Sequence, residues 1–124
     1  MALTISGVNI KGSLSAVHIP PPPPPEYYLW SWGYNYYGRL GLGDTTNRSS
    51  PVQIGALTTW SSISGGSEHS MAVKTDGTMW TWGNGASGRL GLGNTTGYSS
   101  PKQIGALTTW SSIAAGGTWS MAIG

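Results

Sequence analysis

Apolar and aromatic residues along most of the chain alternate with polar ones in short runs, at the spacing of β-strands. In Tyr28–Trp32 and Thr78–Trp82 aromatic residues lie two positions apart and share one face of a strand. Glycine, Thr-Thr and Ser-Ser-Pro clusters separate the runs and supply turns. Because no helical period of useful length is present, the pattern predicts an all-β protein. Further strands are predicted at Val52–Ile54, Trp60–Ile63 and Ser70–Val73.

The pattern repeats at an interval of 50 residues. Trp30–Lys74 aligned on Trp80–Gly124 gives 29 identities in 45 positions without an insertion, so the strands recur after Pro101. Each repeat therefore holds about four strands, the content of a propeller blade. Units of such an array bury their apolar faces only against a neighbour. Two units are too few to do so alone.

Residues 1–19 lie outside the repeat and are interpreted as an N-terminal anchoring arm, strand-like or extended. Leu3, Ile5, Val8 and Ile10 alternate with polar residues, which is typical of a strand that pairs with a partner. A disordered tail is an equally open interpretation for the isolated chain. Residues 20–26 are predicted to form a polyproline II spacer, because Pro20–Pro25 would span about 19 Å at about 3.1 Å per residue. A ligand for SH3-like or WW-like domains is the alternative.

The repeated sequence resembles the RCC1-type repeat, known from the regulator of chromosome condensation. The matching residues of the first unit are Trp30–Gly33, Asn35, Gly38–Gly43, Ser50-Pro51, Ile63–Gly66, His69–Val73 and Asp76-Gly77. The resemblance implies two propeller blades, at about 27–77 and 78–124. Arg39 and Arg89 replace the usual glutamine, and Trp119 stands where the first unit has His69. The founding member has a seven-bladed ring, so its nucleotide-exchange and chromatin surfaces are not carried over to two units.

The middle of the chain predicts a β-hairpin in which Asp76-Gly77 makes the turn between Ser70–Val73 and Thr78–Trp82. The chain ends in a copy of the first arm and begins its repeat with a copy of the second. We therefore expect the end of one chain to pair with the start of another. The residues predicted to form this inter-subunit pairing are Tyr28, Leu29, Trp30, Trp32, Ser120, Met121, Ala122 and Ile123.

Closed propellers have about four to eight blades, so head-to-tail closure predicts six blades from three chains or eight from four. Seven is excluded for identical two-blade chains that contribute every blade. The homotrimer is favoured. A tetramer, a non-closing array and a fragment of a longer protein stay open as alternatives.

Charge and cysteine content exclude several classes of protein. Only 8% of residues are charged, and the basic ones are scattered singly, which argues against a nucleic-acid groove. Cysteine is absent, so neither disulfides nor a Cys-based zinc site are expected. The first ten residues do not resemble a signal peptide, and no stretch approaches the length of a membrane helix.

No constellation predicts catalysis, a cofactor or a metal site. Glu68, His69 and Ser70 are adjacent on a strand, so their side chains alternate between faces and do not form a triad. His69 is expected to be a hydrogen-bonded structural residue. Arg39 and Arg89 recur at one place per blade and are expected to contact carbonyls or the neighbouring blade.

The two repeats differ most in three loops, which are the candidate ligand-binding positions. Aromatic residues beside Asn and Ser suit glycan or protein recognition, and drift in exposed loops is the alternative interpretation. The candidate residues are Tyr34, Asn35, Tyr36, Tyr37, Arg48, His69, Tyr98 and Trp119.

These features lead to two hypotheses. The first is a non-enzymatic structural or adhesive virion protein, made in the host cytoplasm, such as a bacteriophage fibre, tail appendage or capsid decoration. Its arm would bind another virion protein and its propeller head a host glycan or receptor. The second is a cytoplasmic interaction module of the RCC1-like type.

Overall fold

The computed structural model describes residues 19–124, so the arm positions Leu3, Ile5, Val8 and Ile10 lie outside the described residues. The described chain is built from strands, as predicted. Their bounds are β1 Trp30–Gly33, β2 Arg48–Gln53, β3 Trp60–Gly65, β4 His69–Lys74, β5 Met79–Gly83, β6 Tyr98–Gln103, β7 Ser112–Ala115 and β8 Ser120–Ile123, with one short 3-10 turn at Ala86–Gly88.

The strands form three antiparallel sheets, of which only the middle one is complete. It has the order β3-β4-β5-β6, whereas β1 pairs with β2 and β7 pairs with β8. The 50-residue repeat relates β1 and β2 to β5 and β6, and β7 and β8 to β3 and β4. The chain therefore holds one four-stranded blade flanked by the second half of one blade and the first half of another.

The predicted central hairpin is confirmed. Its register runs from His69 opposite Gly83 to Val73 opposite Met79. In the turn, the Asp76 carboxylate accepts hydrogen bonds from the amide and hydroxyl of Thr78, at 3.0 and 2.6 Å. These bonds lower the pKa of Asp76. Local hydrogen bonds thus fix the turn. The register of this hairpin is the reference for how two such arms pair elsewhere.

The fourth strand of each blade is longer than predicted. β2 begins at Arg48 and contains Pro51, although the pattern predicted a strand only over Val52–Ile54. β6 likewise contains Pro101. Both strands are edges of their sheets, where the missing N–H of proline costs no ladder hydrogen bond.

The sheets are joined through their inner strands. The backbones of β3 and β4 approach β7, whereas among the described strands β5 and β6 approach none of another sheet. The complete blade and the β7–β8 sheet therefore splay from the side on which β3 and β7 lie, as blades splay from a propeller axis. The loop between β1 and β2 and the turn between β3 and β4 lie at the same end of the blades. Arg39 Nη1, in the loop, donates to the carbonyl of Ser67, in the turn.

Two apolar clusters hold the blades together. The first joins the β1–β2 sheet to the complete blade through Leu29, Ile54, Trp60, Ala72 and Trp82. The second is formed by Met71, Val73 and Met79, with Ile104, Trp110, Ile113, Ala115 and Ala122 packed against it. Each cluster thus lies between sheets as well as within one.

Candidate functional site

Two strand edges of the fold, one on β1 and one on β8, have no hydrogen-bonded neighbour among the described strands. Among the described strands, β1 pairs only with β2 and β8 pairs only with β7. Their repeat equivalents, β5 and β4, are hydrogen-bonded to each other in the complete blade. The two open edges are therefore the separated halves of a junction that the chain also contains intact.

Equivalent side chains at the intact and open junctions have opposite exposure. Met71 is 2% exposed and Val73 2%, whereas Met121 is 63% exposed and Ile123 66%. Trp82 is 3% exposed, and Trp32 is 59% exposed. Apolar side chains that form the core in one copy thus stand on the surface in the other. Exposed apolar groups on an unpaired strand edge are typical of an interaction surface.

A cleft of about 410 Å³ lies beside β1. Its wall includes Ile54, Ile63 and Gly65. The residues one repeat later pack around Met71 in the complete blade; they are Ile104, Ile113 and Ala115. The cleft is therefore the first-repeat version of the space that the Met71 side chain fills.

Neighbouring blades are also joined at one backbone carbonyl. The Arg39 carbonyl accepts hydrogen bonds from Ser70 Oγ at 2.7 Å and from Trp82 Nε1 at 2.8 Å. The ring of Trp82 fits there because residue 41 is glycine: a Cβ would come within 2.7 Å of Trp82 Nε1. One repeat later, the Arg89 carbonyl accepts the equivalent bond from Ser120 Oγ at 2.7 Å.

The expected structural role of the two arginines is confirmed. Arg39 Nη1 donates to the Ser67 carbonyl of the next blade. Arg89 Nη1 lies 3.4 Å from the equivalent carbonyl of Gly117 and 2.9 Å from Glu68 Oε2. Both arginines bridge blades, but only Arg89 has a carboxylate partner.

The loop between β1 and β2 carries an exposed aromatic group. Tyr34 and Tyr36 are stacked with ring centroids 6.2 Å apart, and Tyr36 and Tyr37 meet edge to face at 4.7 Å. The Arg39 guanidinium lies 5.0 Å from the Tyr34 ring centroid and 5.7 Å from that of Tyr37. This arrangement presents aromatic faces next to a cation, a combination suited to binding a ligand.

Asn35 belongs to the same loop but is not accessible to a ligand. Its side chain is fully buried: Nδ2 donates to the carbonyls of Asp44 and Thr46, and Oδ1 accepts from the Leu40 amide at 2.9 Å. The sequence-based assignment of Asn35 to the ligand loops is therefore corrected. A single side chain that satisfies backbone groups on both sides of a loop stabilises the loop itself.

Arg48 is held in an ion pair. Its Nη2 lies 2.7 Å from Asp44 Oδ2, and this hydrogen bond is the largest cause of the lowered pKa of Asp44. Tyr98, the equivalent residue of the second repeat, is half-buried, with Lys102 Nζ 5.2 Å from its ring centroid. These two positions are not joined to the tyrosine group by any described contact.

His69 is a buried structural residue, as its surroundings show. Its Nε2 lies 2.8 Å from Ser120 Oγ, which donates its own proton to the Arg89 carbonyl, so Nε2 carries the hydrogen. Nδ1 is buried with no partner. Burial lowers the pKa of His69, and the charge of Arg89 lowers it further. Trp119, its repeat equivalent, is 51% exposed and covers Gly116. His69 therefore does not belong with the ligand loops.

The described residues contain no group of three or more His, Cys, Asp or Glu side chains placed to hold a metal ion. No described helix is long and apolar enough to cross a membrane.

Comparisons with known proteins agree with the blade geometry. The profile of the Regulator of chromosome condensation (RCC1) repeat matches residues 28–73 and 76–123, and a second profile of the same description matches residues 60–89. A search of the curated proteins found no match to the sequence.

Solved structures of similar fold include human WBSCR16, with a TM-score of 0.68, 23% identity and coverage of 79% of this chain and 26% of that one. A structure of Kap60 bound to yeast RCC1 (Prp20) is similar with a TM-score of 0.68 at 22% identity, over 77% of this chain and 26% of the other. Prp20p from Saccharomyces cerevisiae, in a study of its binding to Gsp1p and histones, gives 0.65 at 22% identity, over 78% and 26%. The chain spans about a quarter of the length of each.

The two profile matches cover most of the chain, and the strands they include form one complete blade and two half-blades. The chain belongs to the RCC1 repeat family.

Proposed function

We propose that the protein is a non-enzymatic structural protein whose chains join head to tail into a closed β-propeller. The observation that carries this proposal is that the chain's two open edges, β8 and β1, are equivalent to the paired strands β4 and β5 of its own complete blade. The β8 edge of one copy joins the β1 edge of the next, so each junction becomes a four-stranded blade.

The intact hairpin defines the register of this junction. Ala72 lies opposite Trp80 and Val73 opposite Met79. One repeat away, Ala122 of one copy lies opposite Trp30 of the next, and Ile123 lies opposite Leu29. Met121 of the first copy fills the cleft beside β1, and Trp32 of the second donates to the Arg89 carbonyl as Trp82 does to that of Arg39. Three chains close a ring of six blades.

The biological role that suits such a head is a structural or adhesive part of a virus particle, such as a bacteriophage fibre, tail appendage or capsid decoration. The support is the order of the parts: an alternating N-terminal arm, a six-proline spacer and a weakly charged head. In the ring every spacer starts at the same end of a junction blade, so all arms leave on one face. Several weak attachments on one face act together and bind a multimeric particle tightly.

The virion role is tested with purified candidate capsid and tail proteins. The full chain and a variant that lacks residues 1–19 are compared for stable association, and native mass confirms that both have the same number of subunits. Association of the full chain alone supports the role. Equal association of both variants contradicts attachment through the arm.

A cytoplasmic interaction module is the second candidate. It is favoured by similar structures of proteins that bind protein partners, Kap60 in one case and Gsp1p and histones in another. Under this candidate a propeller face of the assembled ring binds a cellular protein, and truncation of residues 1–19 leaves that binding unchanged.

A further inference from the structure

The first-repeat loop has a different chemistry from its counterpart although the surrounding residues are nearly identical. In the first repeat Tyr34 and Tyr37 lie beside Arg39, and Tyr36 packs against both tyrosines. The second repeat has Asn84, Ala86 and Ser87 in the same places. Three aromatic rings on one loop are thus a local addition that the fold itself does not require.

The two bridging arginines also differ in how their charge is balanced. Arg89 Nη1 forms an ion pair with Glu68 at 2.9 Å, and the Arg89 side chain is almost fully buried. No carboxylate of the described chain forms an ion pair with Arg39. Its guanidinium lies beside the rings of Tyr34 and Tyr37, and its Nε is buried without a partner. The tyrosine loop therefore contains a positive charge that no acid of residues 19–124 neutralises through an ion pair.

Assembly does not supply the missing acid, and this step rests on the proposed ring. In the complete blade the Asn84 amide donates to the Glu68 carbonyl at 2.9 Å. At a junction, the equivalent contact places Tyr34 beside Thr118 of the preceding copy, because Thr118 is the repeat equivalent of Glu68. Trp119 of that copy follows and lies opposite Gly33. Each junction thus joins a tryptophan and three tyrosines around an unneutralised arginine.

The outer part of this group stays accessible in the ring. Ala86 and Ser87, the counterparts of Tyr36 and Tyr37, are exposed in the complete blade, whereas Arg89, the counterpart of Arg39, is only 7% exposed, so in the ring Arg39 is the buried part of the group. The deeper cleft beside β1 is filled by Met121 of the preceding copy, which leaves flat aromatic faces rather than a pocket. A peptide anchor requires a pocket, whereas the flat face of a sugar ring can stack on an exposed tyrosine.

We propose that every junction between two copies is a binding site for an acidic saccharide. The sugar ring stacks on the face of Tyr36, beside the perpendicular ring of Tyr37. Its carboxylate pairs with the Arg39 guanidinium in a charge-assisted hydrogen bond. Trp119 of the preceding copy, which lies opposite Gly33, borders the site. The intact chain carries one complete site per junction, and the blade formed by β3–β6 carries none.

The test measures binding of defined saccharides to the full-length protein after native mass has established the ring. The probes are trigalacturonate, its fully methyl-esterified form and sialyllactose, titrated by calorimetry. We expect an acidic probe to bind at one site per chain, and the neutral ester to bind at least about tenfold more weakly than trigalacturonate.

Two variants remove the proposed contacts. The double variant Tyr36→Ala and Tyr37→Ser reproduces the second repeat, and Arg39→Gln restores the residue usual in the family. Both are expected to keep the native mass and to weaken binding by at least about tenfold. Lys102→Val, which copies residue 52 of the first repeat onto an outer strand, is the control with unchanged binding.

The outcomes separate this site from the assembly. An intact ring that binds neither acidic probe at about 1 mM overturns the saccharide site and leaves the proposed assembly standing. Binding that survives in both loop variants also overturns it, as does tighter binding of triglutamate, which would make the ligand a peptide. A monomer in solution overturns the proposed assembly itself.

Discussion

At the residue scale, the same side chain has opposite surroundings in the two repeats. Met71 is packed in a core cluster, while Met121 is exposed on the edge strand β8. The residue type is identical, so the difference comes from position in the blade rather than from sequence. This contrast makes the exposed copy a direct probe of assembly.

We predict that Met121→Glu prevents assembly while the chain stays folded. The carboxylate would have to enter the apolar cleft beside β1, where an unpaired charge is strongly disfavoured. Association is expected to weaken by more than about a hundredfold, measured by analytical ultracentrifugation. The same change at Met71, which is 2% exposed, is expected to unfold the chain instead.

Val52→Lys is the matched control for that experiment. Residue 52 lies on β2, the outer strand, and its repeat equivalent is Lys102, so a lysine is accepted there. Unchanged assembly of Val52→Lys together with loss of assembly in Met121→Glu locates the contact at the open edge. Equal assembly of both variants would contradict the account.

His69 makes stability depend on pH. The folded state lowers its pKa below the ordinary value of 6.5, because burial penalises the charged ring. The unfolded chain therefore binds more protons, so stability is complete above about pH 6.5 and falls as the pH drops toward the folded pKa. Protonation would also place a donor at Nδ1, which has no partner.

We predict that the midpoint of urea unfolding decreases between pH 7 and pH 5. His69→Gln, whose amide can still donate to Ser120 Oγ, is expected to flatten that decrease. A pH dependence that is unchanged in His69→Gln would assign the effect to another group.

At the scale of elements, the strands and the central hairpin could be predicted from the sequence because the signals are local. Alternating apolar residues and the Asp76-Gly77 turn are sufficient to place β4 and β5. The extent of β2 could not, since Pro51 is normally a strand breaker and is accepted only because the strand is outermost. Whether a strand is outermost in its sheet depends on the tertiary structure, which the local sequence does not show.

The burial of Asn35 could have been recognised from the RCC1-type motif, to which Asn35 belongs. A polar residue in a glycine-rich turn often satisfies backbone groups there, whereas the tyrosines around Asn35 belong to no motif. By contrast, Arg39 and Arg89 are identical in both repeats, and only the structure shows that one has a carboxylate partner. The neighbour that makes this difference, Glu68, is a non-repeated residue far along the chain.

The register at the junction can be tested with cysteines, since the chain has none of its own. Ala122→Cys combined with Trp30→Cys is expected to form disulfides between chains, because paired residues of adjacent antiparallel strands lie within the reach of a disulfide. A ladder of covalent dimers and larger species on a non-reducing gel checks this.

Ala122→Cys combined with Ser31→Cys is the out-of-register control. A shift of one residue places the second thiol on the opposite face of the strand, so cross-linking is expected to fall sharply. Equal cross-linking of the two pairs would show that the edges meet without a defined register.

At the scale of the whole molecule, the sequence repeat and the sheets are offset from each other. The repeat boundary falls within the central hairpin, so the only complete sheet among the described residues combines strands from both repeats. A chain built in this way has complementary ends. In the proposed ring, a strand from another copy pairs at each junction in the register of the intact hairpin.

The number of copies in the ring could not be predicted from residues alone, since blades of the same local structure form rings of different size. Small differences in the splay between neighbouring blades accumulate around the ring and determine where it closes. Identical two-blade chains and the usual range of four to eight blades allow both three and four copies, so the count of three stays a prediction.

The most direct test of the account is the native mass of the purified full-length protein at micromolar concentration. We predict a single species of three times the 12.9 kDa of the chain. A fourfold mass would replace the six-bladed ring with an eight-bladed one. A species of 12.9 kDa, stable and monomeric with its β1 and β8 edges unpaired, would contradict the central claim.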